Sequence, residues 1–256
     1  MSSDPIANDP TPDDPATNEL PTSDPSEHES APPASPAEEL FPNDSLAAAL
    51  ERHAIELPSE QQARVDQYVR LLWDWNQKIN LTRHTTYDKF VGRDLRDTLE
   101  LAKFLHPKEE ILDVGSGGGV PGLLLAVLRP DLEIVLSDSV GKKTKVLEAM
   151  VESLGLPTTV YNARSEELLQ DARYDALTIR AVGPLTTLLQ WFKSYWAHIG
   201  RLLILKGPKW VEEDKEARRR GLMRELQLRQ VAEYPIPGTD ANSVILKIWH
   251  NRRREV

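Results

Sequence analysis

The chain has 256 residues, of which 40% are hydrophobic, and its formal net charge is −9. This length suits one large domain or two small ones, and no apolar run approaches the roughly 20 residues that a membrane-spanning helix needs. There is no cysteine, which excludes a disulfide framework, a thiolate nucleophile and a cysteine-ligated zinc site.

The first 45 residues differ from the rest of the chain. They contain 11 acidic residues, ten of the 19 prolines and no lysine or arginine. Such a segment buries too little apolar surface to offset its ordering entropy, so residues 1–45 are predicted to form a disordered acidic tail. The start MSSDPIANDP has neither the basic residues nor the apolar middle of a signal peptide, which predicts a cytoplasmic protein. Residues 46–256 carry 31 basic and 29 acidic side chains and are mildly basic.

Two helices are predicted directly after the tail. The first covers residues 46–55, and the second begins at Ser59, which forms a capping-box pattern with Gln62. Apolar side chains recur on one face of the second helix: Val65, Tyr68, Val69, Leu72, Trp75 and Ile79. Residues 46–108 are therefore expected to form a helical cap that packs with the rest of the chain as one unit.

From residue 109 onward, short apolar strands alternate with amphipathic helices. Strands are predicted at residues 111–114, 133–138, 159–163, 175–181 and 201–207, with helices at 142–155 and 183–200. This alternation indicates a parallel, doubly wound sheet. Two strands in direct succession, at 230–237 and 243–250, predict an antiparallel C-terminal hairpin at the sheet edge. The predicted fold is α/β, with a mostly parallel seven-stranded sheet in residues 109–256.

The loop DVGSGGGVPG, residues 113–122, follows the first predicted strand, where such sheets bind ligands. Read through Gly117, Gly119 and Gly122, it matches the dinucleotide fingerprint G-x-G-x-x-G. Asp113 argues against a pyrophosphate, because its carboxylate repels phosphate and favours an ammonium or sulfonium group. Pro121 removes a backbone N–H that a phosphate site would use. The loop therefore favours S-adenosylmethionine over NAD.

Polar residues stand at the ends of the next three strands. Asp138 can accept hydrogen bonds from a ribose diol, or it can cap the helix that begins near Gly141. Ser165 and Glu166 can read an adenine edge, or Ser165 can cap a short helix. Arg180 interrupts an apolar strand, which indicates either a ligand contact or a buried ion pair.

Six motifs in order resemble the RsmG family, also called GidB. They are WNQKINLT (75–82), LDVGSGGGVPG (112–122), LSDSVGKK (136–143), NARSEEL (162–168), IRAVGPL (179–185) and LKG (205–207), and the resemblance covers roughly residues 46–247. It implies a Rossmann-like class I fold that transfers the methyl group of S-adenosylmethionine to a guanine N7 in 16S ribosomal RNA. The implied base is the position-527 guanine of the decoding-region loop.

The resemblance also implies site residues. For the cofactor they are Gly115 and Val120 on the loop, Asp138 at the ribose, Ser165 and Glu166 at the adenine, and Arg180 between cofactor and substrate, with Asp113, Gly117 and Gly119 completing the predicted loop. For the cleft or the RNA they are Asn76, Asn80, Arg93, Asp97, Lys142, Lys143 and Lys206. The implied partner is 16S ribosomal RNA or the small subunit, and a monomer without a membrane or metal partner is expected.

The chain departs from the family pattern at two places. In VGRDLRDTL, Asp94 takes the place of a histidine and Thr98 that of a serine. Near the last strand, Ser243 replaces a further histidine. Both histidines that the resemblance implies for RNA handling are therefore missing from their positions.

Guanine N7 is a lone-pair nucleophile without a proton to remove, so no general base is assigned. Orientation by Arg180 is expected to contribute instead, and an Arg180→Ala variant is expected to lose methyl transfer while keeping its fold. Three alternatives stay open: an oxidoreductase using a nicotinamide cofactor, a methyltransferase acting on another RNA, a protein or a small molecule, and an RNA-binding domain without activity.

Overall fold

The computed structural model describes residues 44–252. The predicted tail lies outside these residues except for Asp44 and Ser45, which belong to the folded part. Ser45 Oγ accepts a hydrogen bond from the Ala48 N–H at 3.2 Å and caps the first helix. Asp44 Oδ1 accepts from Arg52 Nη2 at 3.0 Å. The folded part thus begins no later than Asp44, two residues before the predicted boundary.

The cap contains helices α1 (Leu46–Arg52), α2 (Ser59–Asn76), the short α3 (Tyr87–Lys89), a π-helical segment (Phe90–Leu95) and α4 (Arg96–Ala102). The predicted buried face of α2 is confirmed for Val65, Tyr68, Val69 and Leu72. Helix α1 ends three residues earlier than predicted. Ala54 has a φ of 51°, in the left-handed region that a helix cannot continue through.

The predicted capping box at the start of α2 is wrong. Pro58 is the N-cap residue, so Ser59 already lies in the first helical turn, where its side chain cannot cap. Gln62 Nε2 instead donates to the Leu57 carbonyl at 2.8 Å. The side chain of Gln62 therefore fixes the connection between α1 and α2.

Within the described residues, seven strands form one sheet in the order β3-β2-β1-β4-β5-β7-β6. They are β1 (Glu110–Val114), β2 (Glu133–Ser137), β3 (Thr159–Tyr161), β4 (Tyr174–Arg180), β5 (Ile199–Lys206), β6 (Leu226–Pro235) and β7 (Asn242–His250). Strands β1 to β5 pair in parallel, and β7 is antiparallel to both β5 and β6. The predicted mostly parallel sheet with an antiparallel C-terminal hairpin is confirmed, although β6 begins four residues earlier than expected.

The helices of the sheet domain are α5 (Gly122–Leu128), α6 (Gly141–Leu154), α7 (Ser165–Asp171), α8 (Leu185–Trp191) and α9 (Trp210–Arg219). The predicted helix over 183–200 is too long, because residues 192–198 form turns and Ile199 begins β5. At Gly200, an added Cβ would lie 2.0 Å from the Asp175 carbonyl oxygen. This strand pairing needs a glycine where a helix was predicted.

The cap and the sheet share one hydrophobic core. Tyr68, Leu72 and Phe90 of the cap belong to the same buried cluster as Leu123 and Leu124 of α5. Each such side chain contributes roughly 1.5–3 kcal/mol by its burial. Tyr68 also donates from its hydroxyl to the Gly118 carbonyl at 2.9 Å, which ties α2 to the glycine loop. This packing places the π-helical segment over the carboxyl ends of the parallel strands.

No helix between residues 44 and 252 is both long and apolar enough to span a membrane.

Candidate functional site

Within residues 44–252, two cavities lie at the carboxyl ends of the parallel strands, next to the glycine loop. The larger cavity has a volume of about 440 Å³ and lies between cap and sheet. Its wall includes Thr82, Arg93, Asp94, Asp97, Gly117, Val120, Lys143, Arg180, Lys206 and Ser243. The smaller cavity, of about 200 Å³, is lined by Ser137, Asp138, Ser165, Glu166 and Trp191 among others. Gly115 lines both, so an extended ligand passing Gly115 would reach both cavities.

The glycines of the loop serve different purposes. Gly115 has a φ of 67°, and an added Cβ would lie 2.9 Å from Val182 Cγ2. Gly119 has a φ of 93°, but there the added Cβ would lie 2.8 Å from Leu123 Cβ. Gly115 therefore borders the cavities, whereas Gly119 is buried and allows α5 to pack against the loop.

Asp138 holds the glycine loop in place. Its Oδ2 accepts from the Gly117 N–H at 3.0 Å, and its Oδ1 accepts from the Val140 N–H at 2.8 Å. The N-cap residue of α6 is Val140, so Asp138 fixes the turn before that helix rather than acting as its N-cap. With 7% of its surface exposed, it also borders the smaller cavity, where a ribose diol was predicted.

Ser165 does not cap a helix. It is the first residue of α7, whose N-cap residue is Arg164. Ser165 Oγ lies 3.1 Å from Ser137 Oγ, which in turn donates to the Asp113 carbonyl at 3.0 Å. This hydroxyl pair links the start of α7 to β1 and β2 on the wall of the smaller cavity, and Glu166 lies beside it.

Asp113 lies beneath the glycine loop and lines neither cavity. Its side chain is 1% exposed, and Oδ1 accepts from Thr178 Oγ1 at 2.6 Å. The carboxylate packs against Gly122, where an added Cβ would lie 2.5 Å from Oδ2. Burial raises the pKa of Asp113 to about 6, even though the hydrogen bond from Thr178 lowers it. The structure thus places Asp113 as a support of the loop, away from the predicted cationic ligand.

This raised pKa predicts a pH dependence of the folding stability. Asp113 has an ordinary pKa of 3.8, so the folded state binds its proton more tightly than the unfolded chain does. Its stabilising contribution is complete below about pH 4 and is lost as the pH rises to about 6, by on the order of 1–3 kcal/mol. In Asp113→Asn this loss disappears, so the difference in free energy of unfolding between wild type and variant should change between pH 4 and 6.

Urea unfolding at pH values from 4 to 8 measures this difference. Asp240→Asn, on the exposed β6–β7 turn, is the matched control and should show a constant difference. A constant difference for Asp113→Asn as well would contradict the prediction.

Arg180 ends β4 in a buried ion pair and at the same time borders the larger cavity. Its Nη2 lies 2.6 Å from Asp94 Oδ1, and its Nε lies 3.2 Å from Asp97 Oδ2. Burial alone would lower the pKa of Arg180, but the charges of Asp94 and Asp97 outweigh it and raise that pKa. The predicted buried ion pair is confirmed, whereas the ligand contact stays a prediction for the 17% of the side chain that remains exposed.

Comparison with known proteins identifies the family of this chain. The family model GidB, described as rRNA small subunit methyltransferase G, matches residues 61–239, which is well over half of the chain. The chain belongs to the GidB family. The predicted family resemblance and the Rossmann-like methyltransferase fold class are thereby confirmed.

Curated relatives give the same result. The chain is 51% identical over 188 residues to the ribosomal RNA small subunit methyltransferase G of Rhodopirellula baltica, covering 73% of this chain and 81% of that protein. The protein of the same name from Halorhodospira halophila is 38% identical over 68% of this chain and 82% of its own length. That from Clostridium novyi is 32% identical over 86% of this chain and 93% of its own length.

Four of the seven cleft or RNA residues that the GidB resemblance implies line the larger cavity: Arg93, Asp97, Lys143 and Lys206. Arg93 donates from Nη1 to Ser243 Oγ at 3.3 Å, and Lys143 lies at the start of α6. Lys206 is held by Glu213, with 2.6 Å between Nζ and Oε2, and it also donates to the Gly183 carbonyl. The positive charge of Lys206 is therefore already paired.

The other three do not border that cavity. Asn76 Oδ1 accepts from the N–H groups of Leu81 and Thr82, at 2.8 and 3.0 Å, and so shapes the loop after α2. Asn80 and Lys142 are exposed. Asn76 thus supports the site through the backbone of that loop.

The segment between α2 and β1 contributes more to the site than its sequence indicated. His84 lies 2.9 Å from Asp94, and Asp97 accepts at 2.7 Å from the Tyr234 hydroxyl of β6. No motif pointed to His84 or Tyr234. Within this segment, the departures from the family pattern at Asp94 and Thr98 were the signal that it differs.

Proposed function

We propose that the protein transfers the methyl group of S-adenosylmethionine to N7 of a guanine in 16S ribosomal RNA, the position-527 guanine of the decoding-region loop. Family membership supports the reaction class and the RNA. The observation that carries the proposal is the pair of cavities that meet at Gly115, with Asp138 bordering one and Arg180 the other.

The smaller cavity suits the nucleoside end of S-adenosylmethionine. The Asp138 carboxylate offers acceptors to a ribose diol, and Ser165 and Glu166 supply polar groups for the edge of an adenine. The methionine end would pass Gly115 toward Gly117 in the larger cavity. When bound there, S-adenosylmethionine supplies a methyl group on a positively charged sulfur.

The larger cavity suits a nucleophile that needs no base. Asp94 and Asp97 both form ion pairs with Arg180, and the other oxygen of each contacts a further side chain, His84 for Asp94 and the Tyr234 hydroxyl for Asp97. All four oxygens of these two carboxylates are therefore engaged by neighbouring side chains. Guanine N7 requires no proton removal, so alignment can supply most of the acceleration, up to roughly 7–11 kcal/mol in well-oriented reactions.

Cationic groups border the opening on two sides. Arg93 comes from the cap and Lys143 from α6, and Lys142 is exposed beside Lys143. Such groups attract RNA phosphates in a salt-dependent way. A ribosomal substrate also agrees with the cytoplasmic location predicted from the sequence.

Mass spectrometry of 16S ribosomal RNA tests the proposal. RNA from cells lacking the gene should lose one 7-methylguanosine, and the wild-type gene should restore it while an Arg180→Lys gene restores little. An unchanged modification map would refute the proposed substrate. Labelled methyl transfer to small subunits, naked RNA and cell protein then shows which class of substrate the methyltransferase accepts. Binding of S-adenosylmethionine compared with binding of NADH distinguishes a methyltransferase from an oxidoreductase.

A further inference from the structure

His84 contacts the carboxylate that holds Arg180, although His84 itself does not line the larger cavity. Its Nδ1 lies 2.9 Å from Asp94 Oδ2, while Asp94 Oδ1 lies 2.6 Å from Arg180 Nη2. Asp94 is 2% exposed, so these two residues take up both of its oxygens in a buried setting. An ionised carboxylate only accepts hydrogen bonds, and His84 therefore carries a proton on Nδ1.

The backbone around His84 is fixed at several points. Its N–H donates to Thr82 Oγ1 at 3.0 Å, and its carbonyl accepts from Trp73 Nε1 at 2.9 Å. Asn76 holds two earlier N–H groups of the same loop, those of Leu81 and Thr82. The imidazole is therefore presented to Asp94 from a defined position, even though it belongs to a loop.

Arg180 lies between two carboxylates, and each carboxylate contacts a second side chain. Asp97 uses Oδ2 for Arg180 Nε and Oδ1 for the Tyr234 hydroxyl. Asp94 uses one oxygen for Arg180 and the other for His84. A carboxylate with a single partner can rotate about its bond, whereas a second donor fixes its plane and hence the guanidinium that it binds.

We propose that His84 is a positioning residue, which acts through Asp94 to hold Arg180 in the orientation that methyl transfer requires. For the chemical step, this inference rests on the proposed function. The orientation of Arg180 by His84 follows from the contacts alone, so this orientation and its effect on methyl transfer can be tested separately.

The test uses the full chain with His84→Ala, His84→Asn, Asp94→Asn and the double variant His84→Ala/Asp94→Asn. Asparagine can place an N–H near the position of Nδ1, and His106→Ala, at an exposed histidine, is the control. We expect His84→Ala to lower kcat for small subunits about tenfold, equivalent to about 1.4 kcal/mol. KM for the subunit and the affinity for S-adenosylmethionine should change by less than about twofold, and His84→Asn should recover most of kcat.

Two further readouts separate positioning from general stability. In the Asp94→Asn background, His84→Ala should have little further effect on kcat, because the contact through which it acts is already altered. In NMR spectra, the Arg180 Nε–H signal, identified by its absence in Arg180→Lys, should be present in the wild type and in His84→Asn but broadened or lost in His84→Ala.

The proposal is overturned if His84→Ala leaves kcat and the Arg180 signal unchanged, or if its effect persists undiminished without the Asp94 carboxylate. It is also overturned if His84→Asn restores thermal stability but not kcat. Should the wild type methylate no ribosomal RNA, the proposed function fails, while the Arg180 signal still decides whether His84 positions that side chain.

Discussion

Arg180→Lys is expected to lower kcat for methyl transfer by about a hundredfold or more, since lysine keeps the charge but lacks the planar fork that two carboxylates can hold at once. Arg180 forms ion pairs with Asp94 through Nη2 and with Asp97 through Nε. A single ammonium cannot keep both contacts and also face the cavity in a fixed direction. Single-turnover methyl transfer to small subunits measures the effect without a contribution from product release.

Lysine is a better test here than alanine. Arg180→Ala would leave Asp94 and Asp97 buried without their cation, at a cost of roughly 3–5 kcal/mol. The sequence-based expectation that the alanine variant keeps its fold therefore needs revision, and its thermal midpoint should fall clearly. An inactive alanine variant alone could not separate catalysis from folding.

A matched control exists at the opposite end of the sheet. Arg201 forms a two-point contact with Glu109, with Nη1 and Nη2 at 2.9 and 2.7 Å from the two carboxylate oxygens. Arg201→Lys breaks a similar fork away from the cavities and should lower stability with little change in kcat. If Arg180→Lys behaved as Arg201→Lys does, Arg180 would be a structural residue and its orienting role would be refuted.

The fold was predictable because its signals are local. Apolar runs located the strands, and the two strands in succession located the C-terminal hairpin. Helical periodicity located the cap helix α2, although the predicted apolar face included Ile79, beyond the end of the helix at Asn76. Errors occurred where backbone geometry decides, at the left-handed Ala54 and at Gly200, whose Cα approaches a neighbouring carbonyl. Neither feature leaves a periodic trace in the sequence.

The candidate site was predictable in its chain order but not in its pairings. The glycine loop, Asp138 and Arg180 follow strand ends, and parallel strands bring their carboxyl ends together. The partners of Arg180 come from the π-helical segment and α4, and Tyr234 of β6 supports them; all lie far from Arg180 in sequence. Asp94 was predicted only as a departure from the family, yet it is the residue through which His84 contacts the site.

Asp138→Ala is expected to weaken binding of S-adenosylmethionine by about a hundredfold, because it removes acceptors on both the protein and the ligand side. Gly117 and Val140 lose the oxygens that their N–H groups contact, and a charged acceptor contributes about 1.5–3 kcal/mol for each hydrogen bond. A tenfold decrease in affinity corresponds to about 1.4 kcal/mol. Removing one such hydrogen bond to the bound ligand, together with partial loosening of the loop, therefore gives the expected size.

Titration calorimetry with S-adenosylmethionine and with its demethylated product checks this value. Asp138→Asn keeps one acceptor oxygen and should fall between wild type and alanine, whereas Asp171→Ala, at an exposed aspartate that lines neither cavity, should bind as the wild type does. If alanine weakened both ligands only slightly, Asp138 would hold the loop without contacting the ribose. If asparagine were as weak as alanine, both carboxylate oxygens would be required, because the single amide oxygen of asparagine cannot engage a ribose diol and the loop N–H groups together.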